Sequence, residues 1–386
     1  MIISNVHRLY ISNFLTGLVF WYGIEKLFMQ SIGIDAIGIV VTSALITTFL
    51  VIFDIPFGIL ADKWSRKGVL VISAVALAIS SYVLGSSKGL EMYIVGSLFY
   101  GLYIVCASGT YDAIMYDTLH EEGKSTFYSK FNGRAYGLFL AGAGVGNIAS
   151  GFLSHYYSYS TAYYLTIISC VLNIVVMLSI REPTFHKTLH KERILHQIGI
   201  AALSISKIKL LRTMTIILSM LSVVELFKLD FGQLYMLRYL TSPETIGILW
   251  AIYAFAMTLG SLIAHRFRTR LNILIVFTSV PYILMAFIDS PVSIVLFMLQ
   301  AVAAAALINQ IQTRIQENTQ SSVRASVMSL ISTLGRIIAI PASFGIAWLF
   351  RDYNALVVVR SIAILLTAML MYWLWASIRM SKASPA

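Results

Sequence analysis

Residues 54–68 read Asp54-Ile-Pro-Phe-Gly58-Ile-Leu-Ala-Asp62-Lys63-Trp-Ser-Arg66-Lys67-Gly68. This charged, glycine-bearing stretch sits between two long apolar runs, where a chain that has crossed a membrane turns back. The rest of the sequence agrees. Of 386 residues, 58% are hydrophobic and 12% charged, and the mean hydropathy is +0.82. A soluble domain carries about 25% charged residues. A helix needs about 20 apolar residues to cross the hydrocarbon core. On that measure spans fall near 9–30, 36–61, 69–87, 91–117, 131–154, 160–180, 210–238, 244–265, 271–288, 291–313, 325–349 and 355–377. These make twelve. Every gap is short except 181–209, so the expected domains are a six-helix bundle over 1–180, a polar linker over 181–209 and a second six-helix bundle over 210–386.

The net charge of +11 invites a nucleic-acid reading, and its distribution rejects one. Taking the loops alternately, one side holds Arg8, Lys63, Arg66, Lys67, Lys124, Lys130, Arg181, Lys187, Lys191, Arg193, Lys207, Lys209, Arg212, Arg266, Arg268, Arg270, Arg314, Arg324, Arg379 and Lys382. The other holds Lys88, Arg238 and Arg351. Cytoplasmic loops are enriched in Lys and Arg because translocating them is disfavoured. Both termini and the linker are therefore expected in the cytoplasm of a multi-pass cell-membrane protein, with the basic excess attracted to anionic lipid headgroups. The first apolar run is too long for a signal-peptide core and carries Glu25 and Lys26, so no cleavable leader is expected. Cys106 and Cys170 both fall inside spans and read as packing residues. No CxxC, HExxH, P-loop or GxSxG pattern occurs, which leaves enzyme, metal and nucleotide chemistry without support. His186, His190 and His196 in the linker fit a cationic helix lying on the membrane better than a metal site.

The pattern Gly58-x-x-x-Asp62-x-x-x-Arg66-Lys67 resembles the cytoplasmic loop between the second and third helices of major facilitator superfamily transporters. With its Asp-Ile-Pro-x-Gly lead-in it is most similar to the drug:proton antiporters of that superfamily. Ser108-Gly-Thr-Tyr-Asp112-Ala-Ile-Met-Tyr-Asp117 resembles Ser-Gly-x-x-Asp-Ala-x-x-Tyr-Asp of bacterial exporters. Arg324-Ala-Ser-Val-Met-Ser resembles their Arg-Ala-Thr-Val-Leu-Ser. The fifth span carries Gly142-x-x-x-Gly146-Asn147-x-x-Ser150-Gly151, in which Asn147 and Ser150 replace a proline and a glycine of the antiporter pattern. No arginine stands at the middle of the fourth span, where many proton-coupled antiporters have one. The halves echo each other: Ile-Gly-Ile recurs at 37–39 and 246–248, and His265 stands in 260–270 where Asp62 stands in 57–67.

The resemblance implies an all-α membrane protein of two pseudo-symmetric six-helix halves. It implies that Gly58, Asp62, Arg66, Lys67 and Asp117 form a conformational latch. Asp62 would cap the eleventh helix, and Arg66 would pair with Asp117. The alternative is that the basic residues only anchor topology. Gly142, Gly146 and Gly151 let backbones approach, and a stripe Gly133, Gly137, Gly144 and Gly151 at helical spacing is expected to face a partner helix, as dense packing or as a moving seam.

Ionisable residues inside the spans are the remaining candidates, since each costs at least about 2.5 kcal/mol in hydrocarbon. They are Glu25, Lys26, Asp54, Asp112, Arg134, Glu225, Lys228, Asp230, Arg336 and Arg360. Glu225 is expected a little past the midplane, and Glu25 and Lys228 in the outer third. Proton coupling falls to Glu225, Lys228, Asp230, Asp112 and Glu25. Glu25, Lys26, Lys228 and Asp230 form a candidate outer gate, against the alternative of local pairs within each helix. Asp54, Asp112 and Arg134 are a candidate cytoplasmic-side network. Phe14, Phe20, Trp21, Tyr22, Phe227, Phe231 and Tyr235 either line an apolar cavity suited to amphipathic cations or pack. Tyr156, Tyr157, Tyr159, Tyr163 and Tyr164 read as an interfacial belt.

The functional expectation is a monomeric secondary active transporter in the lipid bilayer. It exports a small amphipathic compound in exchange for protons by alternating access, with no cofactor, no metal and no nucleic-acid partner. The alternatives are a transporter of a defined metabolite, such as a sugar or siderophore, and a non-transporting receptor.

Overall fold

Helix follows from composition in this chain. In hydrocarbon every backbone N–H and C=O must be satisfied within the chain, and a helix does this along one segment. The computed structural model describes residues 4–183, 202–203, 205–268, 270–319, 324–352 and 355–381. The linker histidines His186, His190 and His196 lie outside the described residues, as does most of 181–209. Among the described residues there are helices and no strand.

The helices are α1 (Asn5–Gly17), α2 (Glu25–Ser31), α3 (Ala36–Lys63), α4 (Arg66–Gly85), α5 (Leu90–Ala107), α6 (Thr110–Glu121), α7 (Tyr128–Tyr156), α8 (Tyr159–Ser179), α9 (Lys209–Leu237), α10 (Pro243–Ile263), α11 (Leu271–Met285), α12 (Val292–Glu317), α13 (Arg324–Asp352) and α14 (Ala355–Ser381). Among the described residues, ten spans are long and apolar enough to cross a membrane, α5 and α6 counting together as one. The broken pair α1–α2 and the shorter apolar α11 complete the twelve. Polar side chains start several helices by accepting from the first turn: Asp35 from the Gly38 N–H at 2.8 Å and Ser65 from the Gly68 N–H at 2.7 Å.

Two expected spans are interrupted. The first breaks over 18–24, between α1 and α2. The backbone freed there finds partners on α8: the Phe20 N–H donates to the Thr166 hydroxyl at 3.0 Å, and the Ser169 hydroxyl donates to the Leu18 carbonyl at 2.8 Å. The break is thus buried against protein, a setting in which unwound backbone is tolerated at membrane depth. The fourth span breaks at Ser108-Gly109. Gly109 has φ +66°, a left-handed conformation that a Cβ disfavours, and the chain restarts as α6.

The chain forms two units, Met1–Leu189 with Leu240–Ala254, and His190–Tyr239 with Phe255–Ala386. In the first, α4 packs on α5 and α8, α1 on α7 and α8, and α3 on α5. In the second, α11 packs on α12 and α14, and α9 on α12, α13 and α14.

Candidate functional site

The turn between α3 and α4 is cross-braced. Arg66 donates to the Asp62 carboxylate at 3.1 and 3.3 Å, to the Ala113 carbonyl at 3.2 Å, and to the buried carboxylate of Asp117 on α6. One guanidinium therefore ties α3, α4 and α6 through its planar fork of donors. Lys67 extends its ammonium to the end of α8, donating to the carbonyls of Leu178 and Ile180, both at 2.9 Å. These are the orphan carbonyls of a helix C-terminus, where a cation is favoured.

Glu182 was not expected here. One of its carboxylate oxygens accepts from the backbone N–H of Arg66 at 2.8 Å and of Lys67 at 3.3 Å. The other accepts from the Ser65 hydroxyl at 2.5 Å. It caps α4 from a distant part of the sequence. The available signal was a lone acid in Arg181-Glu182-Pro183, just past the end of a span and ahead of a basic stretch. Asp62 faces Arg66, and residues 320–323, ahead of α13, lie outside the described residues. Gly58 has open space around the position of a Cβ.

The glycines of α7 work differently from the expected stripe. A Cβ on Gly133, Gly137 or Gly144 would meet nothing within 4 Å. On Gly142 it would lie 2.2 Å from the Phe14 carbonyl oxygen, and on Gly146 2.3 Å from that of Val19. From the other side, a Cβ on Gly17 would lie 2.0 Å from the Phe139 carbonyl oxygen, and one on Gly23 2.4 Å from the Ser150 hydroxyl. Gly142 and Gly146 thus pack α7 directly against the broken segment. Asn147 and Ser150, the departures from the antiporter pattern, continue that face: Ser150 donates to the Asn147 carbonyl at 2.6 Å. Gly151 and Gly247 face each other at the crossing of α7 with the first turns of α10. A Cβ on Gly247 would lie 2.6 Å from the Asn147 carbonyl oxygen and 3.0 Å from the Gly151 Cα.

Four of the charges within the spans pair locally. Glu25 meets its neighbour Lys26 at 3.2 Å and accepts from the Tyr93 hydroxyl at 3.2 Å. Glu225 meets Lys228 at 2.6 Å, one turn along α9. Lys228 is wholly buried, and its ammonium also donates to the Gln300 amide oxygen at 3.1 Å. Asp230, two residues on, is buried too. The expected network of Asp54, Asp112 and Arg134 does not form. Asp54 is exposed, Asp112 engages the Tyr128 hydroxyl, Arg134 lies by Tyr10, and no ion pair joins the three among the described residues. Each of the three has gone to another partner or to the surface, and Asp112 stands in the first turn of α6, past the break at Gly109.

A buried polar cluster, not singled out from the sequence, joins α1, α6 and α8. Ser12 donates to the Asn173 amide oxygen at 2.6 Å, the Asn173 amide nitrogen donates to Thr16 at 3.0 Å, and the Tyr111 hydroxyl lies 2.9 Å from Ser12 and 2.6 Å from Thr16. Several aromatics expected at a cavity are core. Trp21 stacks on Tyr163 with ring centres 5.1 Å apart, and Phe231 on Phe350 at 5.0 Å. Trp21, Phe227, Phe231 and Tyr235 are all but inaccessible. Tyr163 leaves the expected belt for this core, while Tyr156 and Tyr157 stay exposed. Cys106 and Cys170 are buried free thiols. Among the described residues, no cluster of His, Cys, Asp or Glu is arranged to hold a metal.

The sequence profile of the Major Facilitator Superfamily matches residues 9–343. The chain belongs to the major facilitator superfamily. Solved structures of transporters share the fold. A point mutant of the nucleoside transporter NupG is similar with a TM-score of 0.83 at 16% identity, covering 97% of this chain and 100% of that one. The D-xylose-proton symporter gives 0.73 at 13% identity, covering 95% and 96%. A bacterial homologue of the human lysosomal transporter Spinster gives 0.70 at 14% identity, covering 99% and 98%. Comparison with curated proteins gives no match. Membership makes the chain a multi-pass membrane transporter rather than an enzyme; at these identities the solved structures speak to fold alone.

Proposed function

We propose that this superfamily member is a proton-coupled secondary transporter that exports a small compound by alternating access, with Glu225 and Lys228 as its coupling pair. The observation that carries this reading is the pair itself. Removing both charges from water is costly, and an intramembrane ion pair with no packing need for charge marks an ion or proton pathway. Glu225 keeps about a fifth of its side chain accessible while Lys228 keeps none, so a proton can reach the carboxylate and release the ammonium to Gln300. The braced turn at Asp62, Arg66, Lys67 and Asp117 supports the latch role, and the resemblance of that turn to drug:proton antiporters supports export.

A second reading of the substrate is a defined polar metabolite. The hydroxyl and amide cluster of Ser12, Thr16, Tyr111 and Asn173 favours it, because hydroxylated solutes are read by such groups. The burial of Trp21, Phe227 and Phe231 also removes much of the aromatic lining that an amphipathic cation would need. The solved structures of similar fold include carriers of a nucleoside and of D-xylose.

The test is transport in proteoliposomes under an imposed pH gradient, over a panel of amphipathic cations, nucleosides and pentoses. Gradient-driven movement of one class, abolished in E225Q with substrate binding retained, is the expected result. Transport indifferent to the gradient would sink the coupling assignment.

A further inference from the structure

In the second unit, α11 and α12 leave a groove of about 490 Å³. Its floor is made by small or compact side chains, among them Pro281, Ala303 and Ala306, and its rim by Phe277 and Leu299. None of the lining side chains can form a hydrogen bond. Phe277 is 63% exposed and Leu299 55%, so on a membrane-spanning protein the groove opens to lipid. A polar solute entering it would leave its hydrogen bonds unmade, whereas a hydrocarbon chain loses nothing.

One end of the groove is basic. Phe267 and Ile263 line it there, and the chain between them and α11 carries His265, Arg266, Arg268 and Arg270. Arg268 is paired with Glu317 at 2.7 Å, and Arg314 donates to the Arg268 carbonyl at 2.7 Å. His265 turns to the Leu262 carbonyl at 2.8 Å. Arg266 and Arg270 are exposed and carry no ion pair among the described residues. Glu317 leaves this end with an excess of positive charge. Helix length brings the charge to the right depth. The 15 residues of α11 rise about 22 Å, short of a hydrocarbon core of about 30 Å, so the turn at Arg266–Arg270 is drawn towards the headgroup plane or the bilayer thins to it.

We propose that this groove seats one acyl chain of an anionic phospholipid whose phosphate is held by Arg266 and Arg270. Apolar contact alone would accept any lipid tail, and the guanidinium pair selects the anionic headgroup, as basic pockets between membrane helices do. Nothing in this assignment depends on the transported substrate or on proton coupling.

The test uses F277W in nanodiscs, read against the wild-type chain to isolate the added indole. Phosphatidylglycerol with brominated acyl chains should half-quench it at a several-fold lower mole fraction than brominated phosphatidylcholine. The preference should vanish in R266Q/R270Q, which removes the headgroup contact, and in A303F or the milder A306L, which fill the groove. Equal quenching by the two lipids would overturn the proposal, leaving ordinary lipid contact. Persistence of the preference in R266Q/R270Q, or in both filled variants, would overturn it as well. Displacement of the quencher by tetraphenylphosphonium but not by unbrominated phosphatidylglycerol would assign the groove to a cationic compound, and would equally overturn it.

Discussion

Glu225 and Lys228 stand one helical turn apart on α9 and meet at 2.6 Å, with the ammonium wholly buried. The geometry makes them a unit. Neutralising Glu225 alone strands a buried cation, which costs about 3–5 kcal/mol where the pair is fully buried; the residual exposure of Glu225 puts E225Q at the lower end. The double variant E225Q/K228Q removes both charges and should recover most of that loss in thermal unfolding. Greater destabilisation in the double variant than in the single would show that the pair is not coupled.

Local pairing also decides a charge-swap experiment. E225K/K228E restores an opposite-charge pair on one helix face, so expression and binding should return towards wild type. E25K/K228E should give additive losses, because residues in contact are the ones that couple. Recovery in that second double variant would reveal a state in which Glu25 and Lys228 meet, as the outer-gate expectation holds.

Glu182 supplies the carboxylate that caps α4. E182Q keeps the shape but gives up the negative charge facing the backbone N–H groups of Arg66 and Lys67, a loss of about 1 kcal/mol. Cysteines placed along the ends of α3 and α6 that flank Arg66 should label faster in E182Q. D117N should do the same, since it releases Arg66. Unchanged labelling in both would remove the brace from the latch.

Much of this was legible in the sequence, for reasons that also set its limits. The spans were readable because a hydrocarbon solvent leaves few options: apolar length fixes them. The breaks at 18–24 and 108–109 were not, because unwinding changes no residue's hydropathy. What marks the first break is a set of partners, Thr166, Ser169 and Gly142, that all lie more than a hundred positions further along the chain. Arg66 and Asp117 stand in recognisable motifs. Glu182 stands in none, and its role comes from where α8 ends. The aromatics were ambiguous in principle, since a lining ring and a core ring have the same spacing on a helix.

At one exposed surface, Arg238 and Asp289 pair at 2.6 Å, with the Tyr239 hydroxyl donating to the same carboxylate at 2.8 Å. The hydrogen bonds from Arg238 and Tyr239 hold the Asp289 carboxyl below the usual carboxylate range. A folded-state pKa depressed in this way stabilises the fold above the unfolded value of about 3.9 and ceases to do so as pH falls through the folded value. D289N should therefore unfold at a lower temperature than wild type at pH 7, and the gap should close below about pH 4. A gap that stays constant with pH would mean that the loop is held by shape rather than by the carboxylate.

The glycines of α7 give the sharpest contrast, because neighbours on one helix are predicted to respond oppositely to the same substitution. A methyl at Gly142 or Gly146 would fall 2.2 or 2.3 Å from a backbone oxygen of the broken first span. Backbone cannot swing aside as a side chain can, so α7 must move off the segment whose unwound groups are satisfied by Thr166 and Ser169. G142A and G146A should each cost about 1–3 kcal/mol, or fail to accumulate in the membrane. At Gly144 the same methyl meets nothing, and replacing a mid-helix glycine by alanine is worth about 0.5–1 kcal/mol. G144A should thus raise the unfolding temperature. Measured side by side in detergent, the three variants separate close packing from a general need for glycine in this helix. A loss in G144A as large as in G142A would mean that a moving seam, not the contact with the first span, sets the glycine pattern.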